Sequence, residues 1–311
     1  MSPTDGLLKF TNKHLDRFEA ALARVLATRD IEPVHELRVS SRRLSEPLEL
    51  MGESLGRKKM RRLRKALGEV RGSLRHVRDI DVLRLALVDA ESASVGNAED
   101  LAKLQGLLAI HREAELSTSR KLLKQLRPAK THDAIGATLK SYSSGLTRSR
   151  EKRLVDDSAR LWRRKAEALL ERPPARDHAP GLHKTRLKLK ALRYSTELLS
   201  RLDGENREPL LKQFAAMQDR LGAWNDHVCA TAMLAQLVQN DQALAGDPEW
   251  FATVLDYAAR RARLMSHELG ETLILWPRLR SAVELHVFGR APREQGDRPR
   301  DTADVLTAGG R

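Results

Sequence analysis

Two segments of this chain carry cations at spacings that suit an extended, repeating anion. The first is Val34-His35-Glu36-Leu37-Arg38-Val39-Ser40-Ser41-Arg42-Arg43-Leu44. The second is Leu182-His183-Lys184-Thr185-Arg186-Leu187-Lys188-Leu189-Lys190-Ala191-Leu192. Each opens on an apolar residue and a His, then places Arg three positions after the His, a base seven after it and Leu nine after it. On a helix, positions i, i+3 and i+7 share a face. His35, Arg38 and Arg42 therefore align, as do His183, Arg186, Lys190 and Arg193, and Arg43 widens the first face. Arg offers a planar fork of donors that stays charged, and Lys a mobile point charge. A neutral His donates to a phosphate oxygen, and a nearby anion favours its charged form. Donors fixed at regular intervals match a polymer of phosphate units.

A further basic block, Arg57-Lys58-Lys59-Met60-Arg61-Arg62-Leu63-Arg64-Lys65, follows the first segment. A short turn at Gly52 to Gly56 would return it antiparallel, bringing Arg61 and Lys65 beside the first motif, with Lys212 as the nearest counterpart in the second half. The bland alternative is a solvated face, with Arg42 or Arg43 paired to Glu46 or Glu49 in surface contacts worth only ~0–1 kcal/mol. His35 and His183 could equally be buried residues that orient a helix. Arg78-Asp79-Ile80-Asp81 and Asn225-Asp226 read as structural ion pairs across helices.

The elements that must hold these residues are helices. Leu7, Leu15, Phe18, Leu22, Val25 and Leu26 recur at helical spacing, as do Leu63, Leu67, Val70, Leu74 and Val77. No segment sustains the period-two alternation of a strand. Breaks are expected at Asp30–Pro33, Ser94–Asn97, Arg127-Pro128, Arg172–Pro174, Ala179–Gly181, Asp203–Asn206 and Gly246–Pro248. Pro47 should kink or end its helix. Residues 290–311 read as a disordered polar tail.

The His-led segments repeat at an offset of 148 residues, His35 to His183. Leu74–Asp79 and Leu221–Asp226 repeat at 147, Asp79 to Asp226. Two matches in the same order point to a duplicated helical unit. The halves would span about 1–128 and 129–289, each the size of a four-helix bundle.

Composition narrows the partners. The net charge is +14, with 56 Lys+Arg against 42 Asp+Glu. That surplus favours polyanions without choosing among nucleic acid, polyphosphate and anionic lipid. Aromatics are 4%, too few for a protein that stacks on exposed bases. Trp162, Trp224, Trp250 and Trp276 read as core or boundary residues. The one cysteine, Cys229, rules out an internal disulfide and a Cys-rich zinc site, and reads as a small buried residue. The ten His show no metal-ligand spacing, which disfavours a metal-dependent phosphohydrolase. No stretch approaches the ~20 apolar residues of a membrane span, and the start lacks a signal-peptide run. A cytoplasmic protein is expected, with no cofactor or metal; protein partners are left open.

On these residues the sequence resembles the CHAD domain family, α-helical and named for its histidines. The resemblance rests on Val34–Val39 with Arg42-Arg43-Leu44, on Leu182-His183-Lys184, Arg186 and Lys190 with Leu192-Arg193-Tyr194, and on Arg78-Asp79, Asp81-Val82-Leu83. It covers about residues 5 to 289. It implies an all-α fold of two four-helix bundles related by a pseudo-two-fold axis, with a basic central cavity or pore. It also implies non-catalytic binding of inorganic polyphosphate and association with polyphosphate granules. Ser45, Thr185 and Ala191 depart from the family pattern, which implies weaker binding by the second half. A nucleic-acid-binding helical protein is the alternative; no helix-turn-helix, zinc or RNA-recognition signature supports it.

Overall fold

The structure is a computed structural model that describes residues 2–92, 97–144, 147–175 and 179–290. The expected tail lies outside the described residues except for Arg290, and the expected turn at Ser94–Asn97 except for Asn97. The described chain forms α1 (Pro3–Ala27), α2 (Glu32–Leu55), α3 (Arg57–Ser73), α4 (Arg75–Ser92), α5 (Ala98–Leu126), α6 (Pro128–Ser144), α7 (Arg148–Leu170), α8 (Ala179–Asp203), α9 (Glu208–Asn240), the single turn α10 (Gln242–Ala245) and α11 (Pro248–Phe288). No strand occurs among the described residues.

Local chemistry sets the boundaries. Ser2 and Asp5 form a reciprocal capping box on α1, while Asn97 and Asp247 cap α5 and α11. Pro33 sits in the first turn of α2, where a missing N–H costs nothing. Arg127, in the left-handed conformation with φ 49°, separates α5 from α6. Pro47 does not end α2, one of the two outcomes expected of it: it is buried inside a helix that runs on to Leu55. The break expected at Gly52–Gly56 narrows to Gly56, whose φ of 99° reverses the chain at one residue that needs no Cβ. Gly52 stays helical and packs on Met60. Pro180 and Gly181 lie in the first turns of α8, not in a loop.

The apolar stripes bury into three clusters. The first draws on α1, α2, α3, α5 and α6, with Val77 of α4 and Leu154 of α7, and includes Leu198 and Leu202 from α8. The second joins α7, α8, α9 and α11 through residues such as Trp162, Leu189, Phe214 and Trp276. The third joins α4, α5, α9 and α11 around Leu83, Leu104 and Leu234. α8 thus contributes to two clusters. A Cβ on Gly6 of α1 would stand 2.8 Å from the Arg201 carbonyl oxygen, so α1 and α8 touch through backbone. All four Trp are buried, as their core reading expects.

Candidate anion-binding cavity

Helices α2 and α3 run antiparallel, since Gly52 meets Met60, Glu49 meets Arg64 and Ser41 meets Arg71. α8 packs against α2. Between the three lies a cavity of about 470 Å³ lined by Arg42, Arg61, Arg64, Lys65, Arg71 and Lys190, with Ser45, Glu46 and Tyr194. Leu187 and Ala191 complete the α8 wall.

Six cations crowd at this junction: Arg38 and Arg42 from α2, Arg71 from α3, Arg78 from α4, and Arg186 and Lys190 from α8. None forms an ion pair among the described residues. Arg38 donates instead to the Arg71 carbonyl at 2.5 Å, and Arg71 to the Ser41 carbonyl at 3.0 Å. Buried Nε of Arg186 has no hydrogen-bond partner among the described residues. Burial, then Arg42, lowers Arg38 to about 10; burial, then Arg42 and Arg64, lowers Arg71 to about 10. Both stay charged at neutral pH. Burial, then Arg186 and Arg42, lowers Lys190 to about 7, with Asp226 opposing. Burial and Arg78 push His35 below its usual value, so it is neutral at pH 7 and offers one N–H.

The flanking cations behave differently. Arg43 pairs with Glu197 of α8 and lies 4.8 Å over the Tyr194 ring. Arg193 donates to Glu197 at 3.2 Å and to Gln218 at 2.8 Å. Lys165 of α7 pairs with the buried Glu46 and, at 3.0 Å, with Glu49, which also holds Arg64 at 3.2 Å. Glu46 and Glu49 therefore serve Lys165 and Arg64, and the alternative pairing of Arg42 or Arg43 with them does not form.

Of the residues singled out in the sequence, Arg42, Arg61, Lys65 and Lys190 line the cavity. His35, Arg38 and Arg186 do not line it but lie within electrostatic reach of Lys190 or Arg42. Arg43 and Arg193 are held on Glu197. His183, exposed, meets Asn225 of α9 at 3.1 Å and does not line the cavity. Lys212, exposed near the start of α9, does not line it either. Sequence reading missed Arg71 as a candidate and took Arg78 as a structural pair. Arg57, Arg61, Arg64 and Arg71 step by four, three and seven, which was the available signal for Arg71. The structural-pair reading fits Asp81, which is fully buried against Arg112 of α5. Arg112 also donates to the carbonyls of Arg29 at 2.7 Å and Asp30 at 3.1 Å.

Cys229 is half-buried, and burial with Asp79 and Asp226 raises its thiol to about 11. Among the described residues no three His, Cys, Asp or Glu side chains gather as metal ligands. No helix among them is long and apolar enough to cross a membrane.

An all-helical fold whose second and eighth helices bring unpaired cations to one junction defines a class of helical domains built around histidine- and arginine-bearing helices. Residues 10–235 match the CHAD domain family, and the chain belongs to it. Two solved structures share the fold. The CHAD domain from the plant Ricinus communis is 22% identical, with a TM-score of 0.64 and 94% of each chain covered. PptA from Streptomyces chartreusis is 20% identical, with a TM-score of 0.61, covering 90% of this chain and 99% of that one. No curated protein matches.

Proposed function

We propose that this protein binds inorganic polyphosphate, without chemistry on it, in the cavity between α2, α3 and α8. The observation that carries the reading is the contrast in pairing. Arg43, Arg64, Lys165 and Arg193 all hold carboxylates, whereas Arg38, Arg42, Arg71, Arg78, Arg186 and Lys190 hold none among the described residues. Crowding like charges in a half-buried site is unfavourable, and a polyanion offsets it. Polyphosphate fits because its charge repeats and its oxygens accept forked donors. The cavity's one carboxylate, Glu46, is already engaged by Lys165.

The internal repeat supports the same reading. At the offset of 148, Arg38 corresponds to Arg186 and Arg42 to Lys190. Arg42 feels Arg186, and Lys190 feels Arg38. Those two contacts interchange under the repeat, as expected if a pseudo-two-fold axis relating the halves 1–128 and 129–289 passes between Arg42 and Lys190. On this reading the protein is cytoplasmic and can associate with polyphosphate granules.

Titration with long-chain polyphosphate tests the proposal. Arg38→Ala/Arg42→Ala/Arg186→Ala should lose most of the affinity of the wild type, and equal affinity would end it. Excess polyphosphate should displace DNA readily and DNA should displace polyphosphate poorly; the reverse order would favour a nucleic-acid function. Phosphate release with added Mg²⁺ or Mn²⁺ would overturn the non-catalytic part.

A further inference from the structure

A second cavity, of about 400 Å³, adjoins the first between α2, α3 and α7. Arg61 and Arg64 line both. α3 is therefore a common wall, and its arginines Arg57, Arg61, Arg64 and Arg71 lie along one face. At 1.5 Å per residue that run spans about 21 Å.

Charge pairing in the second cavity repeats the contrast seen in the first. Its three carboxylates already hold cations: Glu53 holds Arg57 at 2.8 Å, Glu49 holds Arg64 and Lys165, and Asp157 holds Arg160. Arg61 and Arg164 enter no ion pair among the described residues. A chain leaving the first cavity past Arg61 can reach Arg164 without competing for an existing pair. Once its first units are bound, each further contact on the same chain is intramolecular and gains from a high effective concentration. A diphosphate or triphosphate seated at Arg42 and Lys190 has no such continuation.

We propose that the two cavities form one track. The ligand is then a linear polyphosphate long enough to run from Arg42 and Lys190 past Arg61 and Arg64 to Arg164 on α7. This rests on the polyphosphate reading above and adds to it a length class and a contact helix, α7, outside both His-led segments.

The test titrates the full chain with inorganic triphosphate and with long-chain polyphosphate at one ionic strength. Four proteins are compared: wild type, Arg164→Glu, Arg163→Glu and Arg42→Ala. Arg163 is exposed beside Arg164 but lines neither cavity, so its variant matches the change in net charge. Arg164→Glu should weaken long-chain binding by about tenfold and leave triphosphate binding unchanged. Arg163→Glu should change neither by more than about twofold. Equal effects of the two Glu variants on the long chain, with Arg42→Ala still weakening it, would show that the first cavity holds the ligand alone. Failure of the wild type to bind either phosphate would overturn the underlying reading and the track with it.

Discussion

Lys190 and Arg42 stand as like charges on facing walls of one cavity, brought there from helices whose motifs lie 148 residues apart in the sequence. Asp226 and Asp79 lie near the cluster, on Lys190 and Arg38 respectively, but neither forms an ion pair with these cations. The free protein therefore keeps an excess of positive charge where its helices meet, and protonation of Lys190 is sensitive to anything bound there.

The first prediction concerns pH. Lys190 titrates near 7 in the folded protein against 10.5 for an ordinary lysine. Between about pH 7 and 10 the unfolded chain binds more protons at this position than the folded one, so the free protein gains stability as pH rises through that window. The slope from one group is at most about 1.4 kcal/mol per pH unit. A bound polyanion favours the charged form, so affinity should run the other way and fall as pH rises above 7. Lys190→Arg should bind with a flatter profile, and Lys190→Met should lose the stability slope. Chemical denaturation and calorimetric titration between pH 6 and about 10 read both effects.

Neighbouring arginines should separate binding from stability. Arg42→Ala removes an unpaired cation; it should weaken polyphosphate binding about tenfold or more and leave the free protein as stable or more so. Arg43→Ala removes the Glu197 pair and the contact over Tyr194. It should cost about 1–2 kcal/mol of stability with a smaller effect on affinity. Matching losses of affinity in the two variants would show that Arg43 holds the ligand as Arg42 does.

The Asp81–Arg112 pair should prove structural. Asp81 is fully buried and Arg112 nearly so, and burial raises the Asp81 carboxyl despite Arg112. Arg112→Met leaves that carboxylate without its cation and strands the carbonyls of Arg29 and Asp30. A loss of about 3–5 kcal/mol is expected. Polyphosphate affinity of the protein that remains folded should be near wild type.

Gly6→Ala tests the seat of α8. The new Cβ would stand 2.8 Å from the Arg201 carbonyl oxygen, a backbone atom that cannot swing away. Separation of α1 from α8 should cost about 1–3 kcal/mol, read as a drop in denaturation midpoint. Because α8 carries Arg186 and Lys190, affinity should fall with it.

The sequence by itself determined the helical class and most of the breaks, because helical periodicity and Pro, Gly and capping residues act within a few positions of themselves. Pro47 escaped that logic: a proline weakens one turn, but burial of Leu44, Leu48 and Met51 around it holds the helix together. The tertiary structure alone decided which cations remain unpaired. Arg42 and Arg43 are adjacent and chemically identical, yet one faces the cavity and the other meets Glu197, because successive residues on a helix point about 100° apart and the partner on α8 lies 154 positions away. Pairing depends on distances of a few ångströms between side chains remote in the chain, and no local pattern encodes them.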